Sequence, residues 1–513
     1  MRRIWVSLDD RGMRVFWLGA GLLIGGQLLA LLIYSGYLVH RFDLTDDFGT
    51  YAQAWSLIGR GHLSPVDTIQ VPNYPFWQSH FELAMWPIAL VGRLWPQPIQ
   101  LLWLQDLAMA ATEWIAITWV AAICATRLLR YRSAVALSAL VFLVLNPWWY
   151  LAASFDIHFE TLGLPFALWS AYALWRGRTR TAIVAGIVAM LFGDVVTVVV
   201  LCVGIAGLLS RRVRREPGWH APVTLVGAAV AWLALIAVIG GNRGSGIVAN
   251  YGYLVGAGPT TTSTHIIEQL LLHPWHAVRV LVDRRAAMGR ILGSAGLIGV
   301  LSPWGFIVAA GTLGPAALNA NLIFLSPTIA FQTLAVIPFV FVGSVLVLIR
   351  IAAGSEQSTE PKPLDRRRSA TAIGLGMMVV ILAASQNVSL YGTIRSDWWK
   401  VDASAAAVLR ETLPNIPSDA EIIASQGVIG RFANRRFVYP FLAAPQSFPV
   451  RSGTVVFIVA PSQGIESVPA SLARQTIDRL VRRPGVTVLA RRGGVAVLEW
   501  KPPPGSTVIT LPG

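Results

Sequence analysis

Charged residues are scarce in this 513-residue chain. Asp, Glu, Lys and Arg make up 13% of it, whereas hydrophobic residues make up 55% and the mean hydropathy is +0.59. An average soluble domain carries about a quarter charged residues. The shortage of charge therefore argues against a soluble protein and predicts a polytopic α-helical membrane protein.

Cysteine and repeated sequence are also nearly missing. The two cysteines, Cys124 and Cys202, lie inside apolar segments, so they indicate neither a disulfide framework nor a zinc site and are expected to be packing residues. The chain shows no repeat at the roughly 20 to 50 residue spacing of solenoids. It also lacks a glycine signature for nucleotide binding.

Acidic residues are outnumbered, since 26 Asp and Glu stand against 41 Lys and Arg, a formal net charge of +15. Most basic residues lie in short clusters between apolar runs, as at 127–132, 176–180 and 211–215. Such clusters stay on the cytoplasmic side of a membrane, so the excess indicates topology and no nucleic-acid partner. The expected partner of these segments is the lipid bilayer of the cell membrane.

Apolar segments between the basic clusters predict about eleven crossings, because a helix needs about 20 apolar residues to span a bilayer. Residues 181–210 run between two basic clusters, which predicts two short helices that turn on the outer side near Asp194. The N-terminus is then cytoplasmic, and the first helix is expected to be retained because no small-residue cleavage site follows it. The predicted crossings lie at about 15–37, 99–126, 133–149, 158–175, two within 181–210, 221–240, 288–302, 304–318, 333–352 and 371–391.

The composition changes after residue 391. Short segments that favour strands and amphipathic helices follow, and "VTVLARRGGVAVLEW" is typical of a hairpin that turns at Gly493 and Gly494. We expect a transmembrane domain over 1–391, with an acidic first outer loop at 38–80 and an interfacial helix after it. A small extracytoplasmic α/β domain is expected over 392–513.

The predicted topology collects polar side chains on the outer face. Carboxylates at a membrane edge are costly unless they have a partner or a task, so their convergence predicts a functional cavity. The members are Asp43, Asp46, Asp47, His80, Asp156, His158, Glu160 and Asp194.

Several of these residues also have ordinary structural interpretations. Asp46 and Asp47 are suited to cap the helix that begins at "FGTYAQAW". His80 alone is typical of a solvated interfacial histidine, and Asp194 is typical of a turn residue between two helices.

Two further groups of residues carry alternative interpretations. The "DIHFE" segment spaces three metal-ligating side chains two apart, which suits a metal ion only on an extended turn; they are Asp156, His158 and Glu160. Basic residues in the outer loop at 241–287 either lie on the membrane surface or bind a phosphate; they are Arg279, Arg284 and Arg285.

Short motifs over most of the chain resemble a known family. The motifs are "DDFGTYAQAW", "SHFELAMWPIALVGRLWP", "IHFETLGLPF", "ANYGYLVG" and "IPSDAEIIASQGVIGRFANRRFVYPF". Together they resemble the membrane-protein family called domain of unknown function 2079. On that resemblance the signature positions are Asp47, Gly49, Tyr51, Gln53 and His80, and Tyr251 falls in the Tyr-Gly segment.

The resemblance implies a GT-C glycosyltransferase-like fold and a sugar donor carried on a polyprenyl phosphate. The acceptor would be a glycan, a lipid or a protein, and a divalent cation is a candidate cofactor. Transfer to a hydroxyl needs a base, for which Asp47 is the choice, with Asp46 as its partner or a metal ligand. The candidates for substrate binding are Tyr51, Gln53, His80, His158, Glu160, Asp194, Tyr251, Arg279, Arg284 and Arg285. The candidate metal ligands are Asp46, Asp47, His158 and Glu160.

Two other functions remain open from the sequence. A transporter or flippase of a lipid-linked or small polar substrate would also use buried acids, but it predicts charges near the middle of crossings and paired halves. A non-catalytic cell-envelope assembly protein would use the outer α/β domain to bind a partner.

Overall fold

The computed structural model describes most of the chain. His80 and most of the polar linker at 355–368 fall outside the described residues, as do some of the basic clusters. The described ranges are 2–69, 74–79, 81–127, 132–210, 219–239, 243–256, 261–353, 366–393, 401–461 and 468–511.

The described residues are mostly helical. The α-helices are α1 (Arg2–Arg41), α2 (Asp46–Gly59), α3 (Phe76–Ser79), α4 (Met85–Gly92), α5 (Ile99–Arg127), α6 (Arg132–Val144), α7 (Pro147–Ala153), α8 (Phe159–Trp175), α9 (Thr179–Met190), α10 (Asp194–Leu209), α11 (His220–Ile239), α12 (Arg243–Tyr251), α13 (Ser263–Leu272), α14 (Pro274–Asp283), α15 (Arg285–Ser294), α16 (Pro303–Leu318), α17 (Val336–Ala353), α18 (Arg366–Tyr391), α19 (Ala403–Thr412) and α20 (Ala470–Val481). Short 3₁₀ helices lie at Gly252–Val255, Leu297–Leu301, Leu322–Leu325, Pro327–Thr333, Leu413–Asn415 and Ile429–Phe432.

Five stretches of the described residues are long and apolar enough to cross a membrane: Arg11–Arg41, Ile99–Ala125, Arg132–Ala153, His220–Ile239 and Ala370–Tyr391. Shorter apolar helices include α9, α10, α16 and α17. The prediction of two helices within 181–210 is confirmed, because α9 and α10 are separated by a turn at 191–193. The total of about eleven crossings stays a prediction.

Large apolar side chains are exposed along α18. Val388 is 74% exposed and Ile381 is 68% exposed, and Met377 and Met378 are also exposed. A run of exposed apolar side chains on one helix would be unusual in a soluble monomer. It is expected where lipid covers the helix, so it agrees with a location in the membrane.

The described contacts divide the chain into two compact units. The first unit comprises Met1–Ala30, Gln105–Ser154 and Phe159–Ile394. The second unit comprises Leu31–Leu104, Phe155–His158 and Arg395–Gly513. The acidic loop at 38–80 thus belongs to the same compact unit as the C-terminal residues. The division into a transmembrane domain and an extracytoplasmic domain near residue 391 stays a prediction.

The first unit is a layered helical bundle. Helix α8 packs on α9 and α10, α10 packs on α11 and α16, and α17 packs on α16 and α18. Small residues allow the close approaches, as at Gly311, where a Cβ atom would lie 2.2 Å from the Cys202 sulfur. Cys124 and Cys202 are both buried, which agrees with the packing role expected for them.

The second unit contains a five-stranded sheet in the order β4-β3-β6-β8-β7. Its strands are β3 (Glu421–Ser425), β4 (Val438–Phe441), β6 (Val455–Val459), β7 (Val486–Arg492) and β8 (Val495–Trp500). Strand β3 pairs in parallel with β4 and β6, whereas β8 is antiparallel to both β6 and β7. Two small antiparallel sheets pair β1 (Val66–Asp67) with β2 (Tyr74–Pro75) and β5 (Gln446–Pro449) with β9 (Val508–Leu511).

The segment pattern explains this sheet. Strand β6 is an uninterrupted apolar run, and β3 has an apolar centre between Glu421 and Ser425; both strands are buried throughout, as parallel central strands usually are. Helix α20 covers the sheet with Ala473, Ile477 and Leu480, which recur at helical spacing. The predicted hairpin turn is confirmed, since Gly493 and Gly494 both have the positive φ that a tight two-residue turn requires.

Candidate functional site

Thr45 is the N-cap of α2. Its backbone is extended, and its hydroxyl oxygen accepts a hydrogen bond from the backbone N–H of Asp47 at 3.2 Å. The interpretation of Asp46 and Asp47 as the capping residues is therefore wrong. The two acids instead form the first turn of the helix, where the positive end of the helix dipole favours carboxylates. The cap is therefore Thr45, and the two carboxylates interact favourably with the helix dipole.

Asp47 and His158 face one another although they lie far apart in the sequence. The Nε2 atom of His158 lies 3.5 Å from Oδ2 of Asp47. The Asp47 side chain is 26% exposed, whereas that of His158 is 6% exposed. The imidazole packs against Phe155 and edge-on against Tyr51, with ring centroids 5.4 Å and 6.2 Å away. A fixed histidine thus orients a carboxylate that solvent can reach.

Asp156 supports the start of the same helix. Its Oδ2 accepts a hydrogen bond from the backbone N–H of Thr45 at 2.6 Å, and the residue is fully buried with φ at +90°. Burial raises the pKa of Asp156 well above its usual range, against the lowering effect of the Thr45 hydrogen bonds, and the carboxylates of Asp47 and Asp46 raise it further. A non-glycine residue in this conformation costs energy and is typical of functional sites.

The other two acids of the segment at 43–47 are bound by the C-terminal part of the unit. Asp43 is buried and accepts a hydrogen bond from the backbone N–H of Val401 at 3.3 Å. Asp46 Oδ1 accepts one from Gln426 Nε2 at 2.7 Å, just beyond the carboxyl end of β3. The backbone of Leu44 also pairs with Gly427. Asp43 and Asp46 thus bind this segment to the C-terminal part of the unit, whereas Asp47 lies beside His158.

Tyr51 and Gln53 are buried side chains of α2 that form hydrogen bonds within the second unit. The Tyr51 hydroxyl donates to Oε1 of buried Glu82 at 3.1 Å. Gln53 Nε2 donates to Thr68 Oγ1 at 2.8 Å and to the carbonyls of Arg435 and Arg436, while its Oε1 accepts from the Thr68 N–H. Both ends of the Gln53 amide are thus engaged within the protein, and the substrate role implied for Gln53 stays a prediction.

Two further candidate acids belong to the first unit. Glu160 is in the first turn of α8 and lines a small pocket together with Gln332 and Val195. Asp194 is exposed at the start of α10, and its Oδ1 accepts a hydrogen bond from the N–H of Val195 at 3.0 Å. A cavity shared by Glu160 or Asp194 with Asp47 stays a prediction.

The candidate phosphate contacts also lie in the first unit. Arg284 Nη1 donates to the carbonyls of Ala317 and Asn319, and its guanidinium lies over the Tyr253 ring at 5.8 Å. These contacts fasten the C-terminal end of α16. The role of Arg284 as a phosphate contact stays a prediction.

Three other candidates surround that region. Arg285 Nη1 donates to the carbonyl of Val282, and Arg279 is exposed on α14. The Tyr251 hydroxyl donates to the carbonyl of Pro315 at 3.4 Å. Their predicted contacts with a substrate stay predictions.

Some residues of interest were missed in the sequence. Gln426 gave no signal, since its role depends on a contact that only the fold creates. Thr45 is a good cap residue, but the sequence did not distinguish it from the two acids that follow it. Asp106 and Glu113 did give a signal, because they are acids inside the apolar segment of α5, and both are 1% exposed. An acid buried in a membrane span indicates function by default.

A metal site does not emerge from the described residues. None of their His, Cys, Asp and Glu side chains form a group of three or more that would hold a metal ion. Asp47 and His158 bring two possible ligands together, and Mg²⁺ is commonly held by one or two carboxylates with waters and substrate phosphates. The divalent cation therefore stays a prediction.

The fold and the apolar helices define a polytopic membrane protein with a small strand-containing unit. The chain belongs to the family of predicted membrane proteins called domain of unknown function 2079 (DUF2079), whose profile matches residues 42–463. The family inferred from the sequence motifs is thus confirmed. The chain is also similar to the crystal structure of ArnT from Cupriavidus metallidurans bound to undecaprenyl phosphate, with 14% identity, a TM-score of 0.43, and coverage of 94% of this chain and 98% of that one. No curated protein matches it.

Proposed function

We propose that this protein is a membrane glycosyltransferase of the GT-C class that transfers a sugar from a polyprenyl-phosphate carrier to a hydroxyl acceptor. The observation that carries the proposal is the pairing of Asp47 with His158 at 3.5 Å on the partly exposed start of α2. The resemblance of the sequence motifs to a GT-C-related family supplies the reaction class. The site is assigned to the extracytoplasmic face, with the N-terminus in the cytoplasm and the C-terminal domain outside.

The chemistry follows from the roles of the two side chains. The acceptor oxygen attacks the anomeric carbon, the bond from that carbon to the phosphate oxygen breaks, and the polyprenyl phosphate leaves with the bonding electrons. Asp47 accepts the proton of the acceptor hydroxyl, as a carboxylate within hydrogen-bond reach can do. His158 holds the Asp47 carboxylate in position, and Asp156 holds Thr45 and hence the first turn of α2.

The separation of roles among the acids supports Asp47 as the base. Asp46 is engaged by Gln426, and Asp43 is buried against the backbone of Val401. Asp47 combines exposure with a fixed polar neighbour, and a base needs both to meet a substrate in a defined geometry. The same separation gives each of the three acids at 43–47 its own role.

A second candidate function is transport, and α5 favours it. Glu113 lies near the middle of α5 and shares a side-chain hydrogen bond with Gln27. Asp106, seven residues earlier, lies on the same face of the helix. Buried acids inside a span are typical of proton or ion pathways. A transporter or flippase would use Glu113 and Asp106 rather than Asp47.

One reconstitution experiment separates the candidates. The full chain is placed in liposomes with a radiolabelled polyprenyl-phosphate sugar, and two quantities are measured: sugar transferred to acceptor and labelled donor moved across the bilayer. We expect transfer that is lost in Asp47→Asn and kept in Glu113→Gln. Donor movement without transfer, sensitive to Glu113→Gln alone, would establish transport instead. Binding of donor with neither activity would indicate a non-catalytic assembly protein.

A further inference from the structure

The second unit contains a cavity of about 600 Å³ near the C-terminal end of α2. Arg60 directly follows α2, and the remaining lining residues directly precede parallel strands: Asp419 before β3, Arg435 and Arg436 before β4, and Ser452 before β6. The cavity is therefore at the amino ends of the parallel strands. The contact of Gln426 with the acidic loop is beyond the carboxyl end of β3, so the two regions lie at opposite ends of the parallel strands.

The cavity lining is strongly basic. It carries the guanidinium groups of Arg60, Arg435 and Arg436 against the single carboxylate of Asp419. Among the described residues, none of these three arginines forms an ion pair with a carboxylate. Burial lowers the pKa of Arg435, and the neighbouring charge of Arg60 lowers it further while Asp419 raises it. Like charges held together without neutralisation favour an anion between them.

The arginines are held in place by the protein. Arg435 is 9% exposed, and its two terminal nitrogens donate to the carbonyl of Pro417 and to the side chain of Asn434. Arg60 Nη2 donates to the carbonyl of Asn434 at 2.8 Å. A binding site whose side chains are already ordered loses less entropy when a ligand arrives.

An aromatic ring completes one wall. Phe437 lines the cavity, and the guanidinium groups of Arg436 and Arg451 lie over its ring at 5.3 Å and 5.2 Å. Stacking on the aromatic ring holds the planar face of the Arg436 guanidinium in a defined orientation, and the edge of a stacked guanidinium can still bind a carboxylate or phosphate.

We propose that this arginine cavity binds the carboxylate or phosphate groups of an anionic saccharide. Guanidinium groups bind both anions with paired hydrogen bonds. The volume falls in the range of about 300 to 1,000 Å³ that small-molecule sites occupy and exceeds what one inorganic ion needs. The side chains of Ser418, Asn434 and Ser452 supply partners for sugar hydroxyls.

The saccharide is assigned as the acceptor of the transfer reaction. This assignment rests on the proposed function, whereas anion binding by the cavity does not. Helix α2 has 14 residues and is about 20 Å long, so its two ends are separated by several sugar units at most. An acceptor chain anchored by its anionic groups at Arg60 would extend toward Asp47.

Binding is measured on the full chain in nanodiscs of zwitterionic lipid. The probe is a fluorescent glucuronate oligosaccharide, and its methyl ester serves as the uncharged counterpart. We expect the acid to bind and the ester to bind at least tenfold more weakly, with affinity falling as salt screens the charges. The double variant Arg60→Gln/Arg436→Gln changes two exposed side chains and should weaken binding of the acid about 10- to 100-fold, since charge-assisted hydrogen bonds are lost.

The control is Arg479→Gln, which removes the same charge from the exposed face of α20 in the same unit. Its binding should equal that of the wild type. Equal binding of acid and ester, or equal weakening by Arg479→Gln and by the double variant, would overturn the proposal. Inorganic phosphate is added as a competitor, and competition at millimolar concentration supports the shared anion chemistry.

Two further measurements distinguish the sources of the anion and separate anion binding from sugar transfer. In nanodiscs that contain phosphatidylglycerol, unchanged binding of the oligosaccharide is expected, while its loss would show that the cavity takes a lipid headgroup instead. Asp47→Asn should bind the oligosaccharide normally and fail to transfer sugar to it. Normal binding with no transfer by the wild type would leave the anion site standing and overturn its assignment as an acceptor site.

Discussion

The two ends of α2 differ in charge and in how they are built. At its N-terminal end, Asp46 and Asp47 are neighbours in the sequence. Thr45 caps this end of the helix, and Asp156 binds the backbone N–H of Thr45. At its C-terminal end, Arg60 meets basic residues that come from distant parts of the chain. Both arrangements agree with the helix dipole, which favours acids at the start and bases at the end. The dipole therefore explains why two acids lie at the start of α2 and why Arg60 lies at its end.

What the dipole leaves unexplained is exposure. Asp46 is held by Gln426, so it serves the fold, whereas Asp47 keeps a partly exposed carboxylate beside His158. Likewise, Arg435 is held by backbone and amide oxygens, whereas Arg60 and Arg436 keep exposed guanidinium groups. Each end of α2 therefore has one charged side chain that is bound within the protein and at least one that solvent can reach. We expect these accessible side chains to bind or act on the substrate.

The largest effect is expected at the acidic end. Asp47→Asn removes the proton acceptor while Thr45 keeps the helix cap, so kcat for sugar transfer should fall about 10²- to 10⁴-fold with KM for the donor nearly unchanged. Steady-state transfer with a polyprenyl-phosphate sugar measures both. Thermal unfolding of the variant should match the wild type, which excludes misfolding as the cause.

A smaller and different effect is expected at the basic end. Arg60→Gln should raise KM for an anionic acceptor about tenfold and leave kcat unchanged, because it removes binding that is equal in ground and transition states. The measurement is the same transfer assay with acid and methyl-ester acceptors. A fall in kcat, or an equal loss with the ester, would contradict the division of roles between the two ends.

The helix cap is expected to matter for stability alone. Thr45→Ala should cost about 1 kcal/mol of unfolding free energy, since the Asp47 N–H loses its side-chain acceptor, and Thr45→Ser should restore it. Thermal unfolding in detergent checks both variants. If Thr45→Ser were as unstable as Thr45→Ala, the hydroxyl would not be the group that matters.

The smallest effect is expected in the pH dependence of stability. The pKa of Asp156 is raised in the folded state, so its contribution is fully present below its unfolded value of about 4 and is lost as pH rises through the raised folded value. Asp156→Asn stays neutral, tolerates a positive φ, and keeps an oxygen acceptor for Thr45. The unfolding temperature of Asp156→Asn should therefore vary less with pH than that of the wild type. An equal pH dependence of the two unfolding temperatures would contradict the raised pKa of Asp156.

Much of the fold was predictable because it depends on local patterns. Apolar length and basic clusters predicted helices such as α9 and α10, and paired glycines predicted the hairpin at Gly493 and Gly494. Strands β4, β5 and β9 were missed because each is only four residues long and shows no clear alternation. Strands this short are defined by their partners rather than by their own sequence.

The candidate site was predictable only in part, for a related reason. The acids at 43–47 and the "DIHFE" segment stood out because carboxylates are rare near apolar runs, and Asp47 does meet His158. The capping role of Thr45 was missed because Asp and Thr are both good caps, and only the backbone shows which residue precedes the first turn. The arginine cavity was missed because its residues come from several separate stretches of the chain.

The most direct test of the central claim is a single-turnover measurement of sugar transfer. Donor is bound first to the wild type, to Asp47→Asn or to Asp46→Asn, then acceptor is added in excess, and labelled product is followed over time. If Asp47 is the base, Asp47→Asn should be slower than the wild type by about 10²-fold or more with donor still bound, while Asp46→Asn stays within about tenfold. Equal rates for Asp47→Asn and the wild type would remove Asp47 from the mechanism and leave the acidic end of α2 as a purely structural feature.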